Sequence, residues 1–184
     1  MAGLLVVLTL LLTSATITTN TYTPQQKETT QLSINKEQLR TLIQVVLKEI
    51  DGAIPYNEIA VELLMLTCAT ESNLGEYITQ IKGPAKGIFQ MEPATERDII
   101  ENYCRYKPEF AALVEEYKSH GGSDLTGNIP YQIVMARLHY RRSKVPLPTS
   151  SDPTAMAMVW KSVYNTHLGK GQVGEAARKY LKYA

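Results

Sequence analysis

The sequence predicts an all-α fold, and three observations support that class. Apolar residues recur at spacings of three and four along several segments, which is the pattern of an amphipathic or buried helix. Asparagine and proline stand at the starts of these segments, where helices favour them. No segment alternates apolar and polar residues over the length of a strand. The chain of 184 residues is long enough for one domain and an additional segment.

The first 17 residues form an apolar segment that we separate from the domain. Residues 4–12 contain eight Val and Leu side chains, and no Lys or Arg occurs before Lys27. This run is shorter than the roughly 20 apolar residues that cross a bilayer. A secretory signal is therefore the first interpretation of residues 1–17, with Thr13-Ser14-Ala15 as its cleavage region. Because a basic stretch before the run is missing, three alternatives stay open: an uncleaved membrane anchor, a segment that inserts into a membrane only during phage infection, and a buried N-terminal helix.

A linker precedes the domain, which we assign to residues 34–184. Residues 18–33 are rich in Thr and Gln and contain few large apolar side chains, which is typical of an exposed linker. The first helix of the domain is predicted to begin at Asn35 as its N-cap, with Gln38 as the capping partner. Its apolar stripe ends at Asp51-Gly52.

The second helix, which follows Pro55, ends in a candidate catalytic residue. Its run from Ile59 to Cys68 is apolar almost throughout and predicts a buried helix, and Glu71 and Ser72 stand at its end. Burial disfavours the charged form of a carboxylic acid and raises its pKa, which suits proton transfer near neutral pH. The alternative for Glu71 is a solvent-facing residue at a helix end.

Five further helices complete the predicted domain. Three of them begin at Glu92-Pro93-Ala94-Thr95, at Pro108 and at Pro130. The other two extend from about Thr154 to Val163 and from Glu175 to Tyr183. The segment between Gly121 and Asn128 is predicted as a long turn.

Charge and motif content exclude several classes of function. The chain has 19 basic and 18 acidic side chains, so no net field attracts nucleic acid and we expect no nucleic-acid partner. The histidines, His120, His139 and His167, form no metal-ligand or nucleophile motif, so we expect neither a metal nor a cofactor. Gly169-Lys170-Gly171 lacks the spacing of a phosphate-binding loop. We expect His139 to be a packed or partly exposed helix residue.

Three short motifs follow one another between Val61 and Gly171. Glu71-Ser72 comes first, Gly87-Ile88-Phe89-Gln90 with the following Pro93-Ala94-Thr95 comes second, and Val163-Tyr164-Asn165 comes third. This order resembles the lysozyme-like domain of the soluble lytic transglycosylases. The amino-acid sequences of residues 87–95 and 164–171 are most similar to those of transglycosylase-like proteins carried in phage particles.

The resemblance implies a lysozyme-like helical fold and a set of site residues. Glu71 would be the catalytic acid, and Ser72, Gln90, Tyr164 and Asn165 would bind the substrate. Tyr164 would donate a hydrogen bond to Glu71 or to the glycan, and Asn165 would tie its motif to the backbone. A structural role stays open for two residues, because Ser72 could hold its own turn and the amide of Gln90 could cap its loop.

The resemblance also implies an activity, cleavage of the MurNAc-GlcNAc β-1,4 bond in peptidoglycan glycan strands. Glu71 would protonate the leaving oxygen and take the proton of the muramic acid 6-hydroxyl, which attacks C1 and leaves a 1,6-anhydro end. One carboxylate suffices because the nucleophile belongs to the substrate. The expected setting is the periplasm or cell envelope, reached by export or with a phage particle, where the protein opens the wall locally for the phage genome. Virion or secretion-machine proteins, and a membrane at the N-terminus, are further expected partners.

Two departures from the family pattern keep alternatives open. Glu92 stands where other members have Met, and it could be a second carboxylate that activates water in a hydrolysing, goose-type-like lysozyme. It could equally complement the dipole at the start of its helix. Ile81 stands near the place of a serine that many members have, so that ligand contact is not expected here. A structural virion or secretion-machine component that only binds glycan is the remaining alternative.

Two cysteines, Cys68 and Cys104, fit no metal-ligand spacing. In an oxidising compartment they could form a disulfide that closes a loop of about 35 residues and contributes about 3 to 4 kcal/mol. The alternative is a pair of buried thiols.

Overall fold

The computed structural model describes residues 34–119, 124–166 and 169–184. Helices dominate these ranges and only isolated β-bridges occur in them, which confirms the all-α class. The predicted segment 1–17 and linker 18–33 lie outside the described residues. Within the described ranges, no helix combines the length and apolar character needed to cross a membrane.

The described chain forms helices at almost every place where the sequence predicts one. In chain order they are α1 (Lys36–Glu49), α2 (Glu58–Ser72), α3 (Pro93–Asn102), a 3-10 turn (Cys104–Tyr106), α4 (Pro108–Tyr117), α5 (Asp124–Gly127), α6 (Ile129–Arg141), α7 (Pro153–Trp160), a π-helical turn (Lys161–Asn165) and α8 (Val173–Tyr183).

The predicted helix starts have the expected chemistry. The side chain of Asn35 accepts a hydrogen bond from the backbone N–H of Gln38 at 3.0 Å, which confirms the first N-cap. Asn57 caps α2 in the same way. Pro108 is the first residue of α4, where its missing N–H costs nothing.

Helix α2 lies at the centre of the core. Ten of its residues are buried, so almost no side of the helix faces solvent, as its continuous apolar run predicts. It contacts α1, α6, α7 and α8. Glu71 lies near the C-terminal end of α2, where this helix leaves the core and reaches the edge of a cleft.

Two segments differ from the prediction. The expected long turn contains one short helix, α5, within its described part. The helix expected to continue to Val163 ends at Trp160 and passes into the wider π-helical turn. That turn is stabilised by the Lys161 ammonium, which donates to Asn165 Oδ1 at 2.7 Å and to the Gly169 carbonyl at 2.8 Å.

The two cysteines are separate in the folded domain. Cys68 in α2 and Cys104 in the 3-10 turn are both buried and free. Of the two interpretations, the structure therefore corresponds to the pair of buried thiols.

Candidate active site

An open cleft of about 940 Å³ lies where the end of α2, the following loop, α6 and the π-helical turn meet. Five of the six predicted site residues line it, namely Glu71, Gln90, Glu92, Tyr164 and Asn165. The structure thus brings together side chains that are far apart in the sequence. Most other lining residues are polar or aromatic, which suits a ligand with many hydroxyl and amide groups.

Glu71 is the buried acid of this cleft. Desolvation raises the pKa of its carboxyl group to about 7. Two groups oppose that rise: the indole N–H of Trp160 donates to Glu71 Oε1 at 2.9 Å, and the charge of Lys179 also favours the carboxylate. Lys179 is itself held by the Thr70 carbonyl at 2.9 Å. At neutral pH the carboxyl group is therefore present in both protonation states, as a group that gives and takes a proton requires.

Sequence reasoning did not assign Trp160 to the site. The side chain is 1% exposed and makes the direct hydrogen bond to Glu71. Its position four residues before Tyr164 is the signal that could have found it, because residues four apart share one face of a helix.

Ser72 lies beneath the cleft rather than along it. The side chain is fully buried, and its hydroxyl donates to the carbonyls of Cys68 and Ile88 at 3.1 and 2.5 Å and accepts from the N–H of Gly75 at 2.9 Å. A hydroxyl with these internal partners does not reach a ligand in the cleft. The substrate contact predicted for Ser72 is thus corrected to the turn-holding role that the sequence also allowed.

The turn that Ser72 holds reverses the chain directly after Glu71. Asn73, Leu74 and Gly75 have positive φ values of 52°, 58° and 80°. A bulky residue such as Leu74 rarely adopts this conformation, and it does so here with its side chain buried at 3% exposure. The turn directs the following loop back over the end of α2, where it forms one wall of the cleft.

Gln90 has a structural role at one end of its amide. Its Nε2 donates to the Gly87 carbonyl at 2.7 Å, and the residue has a positive φ of 46°. This is the loop-capping role that the sequence left open. Its Oε1 has no hydrogen-bond partner among the described residues and Gln90 lines the cleft, so the acceptor end is available to a ligand.

The loop of Gln90 is anchored to α6 from beneath. Gln132 in α6 accepts a hydrogen bond from the Ile88 N–H at 2.7 Å. Gly87 has a φ of 75°, and a Cβ atom there would lie 2.1 Å from the Leu125 carbonyl oxygen. Only glycine therefore fits between this loop and the helices below it.

Tyr164 and Asn165 line the cleft, but their hydrogen bonds differ from those predicted. The Tyr164 hydroxyl donates to the Phe89 carbonyl at 2.9 Å and not to Glu71. Asn165 accepts from the Lys161 side chain and is not tied to backbone by that contact. The hydrogen bond from Tyr164 to Glu71 is thus absent from this structure, whereas the contact of Tyr164 with a glycan stays a prediction. Burial and the nearby charge of Glu71 raise the pKa of Tyr164, which keeps its hydroxyl a donor at neutral pH.

His139 is packed against Tyr164, as the sequence predicts for a buried helix residue, and it also lines the cleft. The two rings meet edge to face with centroids 4.9 Å apart. Burial and the charge of Arg142 lower the pKa of His139 to about 4, so its imidazole is neutral at pH 7. The Arg142 Nε donates to His139 Nδ1 at 3.2 Å.

Glu92 and Ile81 lie at the rim of the cleft. Glu92 is exposed at the N-terminus of α3, which agrees with its interaction with the helix dipole, and it makes no side-chain capping bond. Because it lines the cleft as well, the second-carboxylate hypothesis keeps its geometric basis. Ile81 is 78% exposed, so an apolar side chain stands at the rim of the cleft. The described residues contain no cluster of three His, Cys, Asp or Glu side chains that could hold a metal ion.

The arrangement combines one buried, titratable carboxyl group with a long polar rim. It can donate and accept a proton within the cleft while the rim holds a polar ligand. Comparisons of this chain with protein-family models, with curated proteins and with solved structures found no match.

Proposed function

We propose that this protein is a lytic transglycosylase with a lysozyme-like fold that cleaves the MurNAc-GlcNAc β-1,4 bond of peptidoglycan. The observation that carries the proposal is the position of Glu71, a buried carboxyl group with a pKa of about 7 that opens onto a cleft. Such a group is protonated often enough at neutral pH to act as the general acid of glycoside cleavage. The order of the three motifs in the sequence supports the same family.

In the proposed reaction, Glu71 serves twice. Its proton passes to the glycosidic oxygen, whose bond to C1 breaks. The resulting carboxylate then takes the proton of the 6-hydroxyl of muramic acid, and that oxygen forms the new bond to C1. The product is a 1,6-anhydro end, and no water is consumed.

The surroundings of Glu71 support its two roles. Trp160 donates to one carboxylate oxygen and holds the side chain in place. The acceptor of the Gln90 amide is suited to an N-acetyl group or a sugar hydroxyl, and Tyr164 lines the same cleft. Local opening of the cell wall, by an exported protein or one delivered with a phage particle, is the setting that we propose for this chemistry.

The hydrolysing alternative rests on Glu92. A second carboxylate lines the same cleft, and a general base on the far side of the sugar could activate water. The two reactions leave different ends on the glycan, so the products distinguish them.

A digest of purified peptidoglycan by the full chain tests the proposal, with Glu71→Gln and Glu92→Gln as a matched pair of variants. We expect anhydro ends, each one water lighter than a hydrolysed end, by mass spectrometry. Glu71→Gln should abolish them, and Glu92→Gln should leave the rate within about twofold of the wild type, since one carboxylate is enough.

Two other results would contradict the proposal. Reducing ends that disappear in both variants would establish the hydrolysing reaction with Glu92 as its base. Wild-type protein that sediments with peptidoglycan and releases no fragment would support the glycan-binding structural component.

A further inference from the structure

A second cavity, of about 380 Å³, lies between the start of α2, the end of α6 and the segment 143–147. We call it the Arg137 cavity. It is separate from the cleft of Glu71, because His139 of α6 lines the cleft whereas Arg137 and Tyr140 of the same helix line the Arg137 cavity. Its volume is in the range of small-molecule sites.

Arg137 is a largely buried cation that lines this cavity. The residue is 6% exposed, and it forms no ion pair with a described carboxylate. Its guanidinium nitrogens keep contact with the open space of the cavity, since the fully buried polar atoms that lack a partner among the described residues are Asn73 Oδ1 and Gln132 Nε2. Arg40 and Arg142, by contrast, pair with Glu62 and Asp98. Burial lowers the pKa of Arg137 to about 10, so the group is still charged at neutral pH. A partly desolvated charge without a counter-ion favours the binding of an anion beside it.

The surroundings of the cavity add positive charge and no negative charge. Arg141 and Lys144 line it together with Arg137, and none of the described lining residues is acidic. Asp51 and Glu58 accept from the backbone N–H and the hydroxyl of Tyr56, a lining residue, but do not line the cavity themselves. Three cations and no carboxylate therefore line the cavity.

Apolar side chains line the same cavity. Leu147, Val159 and the ring of Tyr140 are among them. An inorganic ion would contact only the cationic groups, whereas a ligand with an apolar body would contact the apolar side chains as well. Guanidinium groups bind phosphate in a two-pronged geometry, and a doubly charged phosphate matches three cations better than a carboxylate does.

We propose that the Arg137 cavity is a binding site for a small organic phosphate. The phosphoryl oxygens contact the guanidinium of Arg137 with Arg141 and Lys144 at the mouth, and the apolar part of the ligand packs against Leu147 and Val159. This site serves a function separate from glycan cleavage, because the two cavities share no lining residue.

Calorimetric titration of the full chain with phenyl phosphate at low salt tests this site. Wild-type protein should bind it saturably, and more tightly than benzoate or inorganic phosphate. Arg137→Met should weaken binding by about tenfold or more, the effect of losing a charge-assisted hydrogen bond. Arg105→Met, which removes an exposed arginine from the 3-10 turn, should bind as the wild type does.

The melting temperature without ligand distinguishes an arginine that binds a ligand from one that stabilises the fold, because only the loss of the latter would lower it. Because Arg137 is largely desolvated and forms no ion pair with a described carboxylate, Arg137→Met should melt at the same temperature as the wild type or above it. If that variant does not fold, Arg141→Gln combined with Lys144→Gln tests the same charges at exposed positions. The double variant should also lose at least tenfold in affinity.

Several outcomes would overturn the proposal. Wild-type protein that shows no saturable heat with phenyl phosphate has no such site. Equal affinity in the wild type and in the Arg137 or double variant would place the ligand elsewhere, and equal loss in Arg105→Met would show unspecific attraction. Tighter binding of benzoate would assign the cavity to carboxylates instead.

Discussion

Glu71 is a residue whose titration couples the site to stability. Its pKa is about 7 in the folded chain against a reference value of 4.5, so between these pH values the folded protein holds a proton that the unfolded chain has released. The contribution of Glu71 to stability is therefore complete below pH 4.5 and is lost as pH rises to 7. Above pH 7 the folded protein holds an ionised carboxylate in a desolvated site, which destabilises it. Glu71→Gln removes that charge and should raise the free energy of unfolding by about 3 kcal/mol at pH 8.

Urea denaturation at pH 4 and pH 8 measures this effect. The gain in Glu71→Gln should be close to zero at pH 4, and the exposed Glu92→Gln should show no comparable difference between the two conditions. An equal gain at both pH values would contradict a raised pKa of Glu71 as its cause.

Trp160 tunes the same carboxyl group through its indole N–H. That hydrogen bond lowers the pKa of Glu71, so Trp160→Phe should raise it. If cleavage requires protonated Glu71, the rate falls as pH rises past about 7, and the variant should move this falling limb to higher pH by roughly one unit. The pH dependence of peptidoglycan cleavage measures the shift. A lower rate with an unchanged limb would mean that Trp160 only positions Glu71.

At the scale of elements, the loop that contains Gly87 and Gln90 lines the cleft together with α6. Gly87→Ala would force a Cβ atom to 2.1 Å from the Leu125 carbonyl oxygen at a positive φ, so we expect a loss of about 2 kcal/mol or more in the free energy of unfolding. Gly174→Ala in α8 is the matched control, because a Cβ atom there meets nothing within 4 Å. It should be neutral or stabilising by up to about 1 kcal/mol. Similar losses in both variants by urea denaturation would contradict the packing described for Gly87.

The connection from α2 to its following loop depends on one hydroxyl. Ser72 joins the helix end to Ile88 and Gly75, so the same residue holds the end of α2 that bears Glu71 and the loop that follows it. A strained turn persists there because Ser72 holds the Gly75 N–H and the side chain of Leu74 is buried.

For the whole molecule, the core around α2 stabilises the fold without a cross-link. Cys68 and Cys104 are free, and burial raises their pKa values to about 12 and about 11. The melting temperature should therefore be the same with and without a reductant, and both thiols should react with iodoacetamide only on unfolding. A lower melting temperature in reductant would indicate the disulfide that the sequence also allowed.

The sequence by itself determined the helices and the chemical nature of the acid. Local signals suffice for this, since Asn35 and Pro108 specify helix starts through their own backbone and side-chain chemistry. The continuous apolar run of α2 is enough to predict that a carboxyl group at its end is desolvated. Patterns of this kind depend on neighbours within one or two turns of helix.

Only the tertiary structure decided which groups meet. The bond between Trp160 and Glu71 joins residues 89 positions apart, and the bond between Tyr164 and Phe89 joins residues 75 apart. The cavity that Arg137 shares with Leu147 and Val159 is likewise visible only once the surrounding helices are in place. Periodicity assigns a side chain to a face of its helix, whereas its partner depends on how separate helices pack, and that information is not local in the chain.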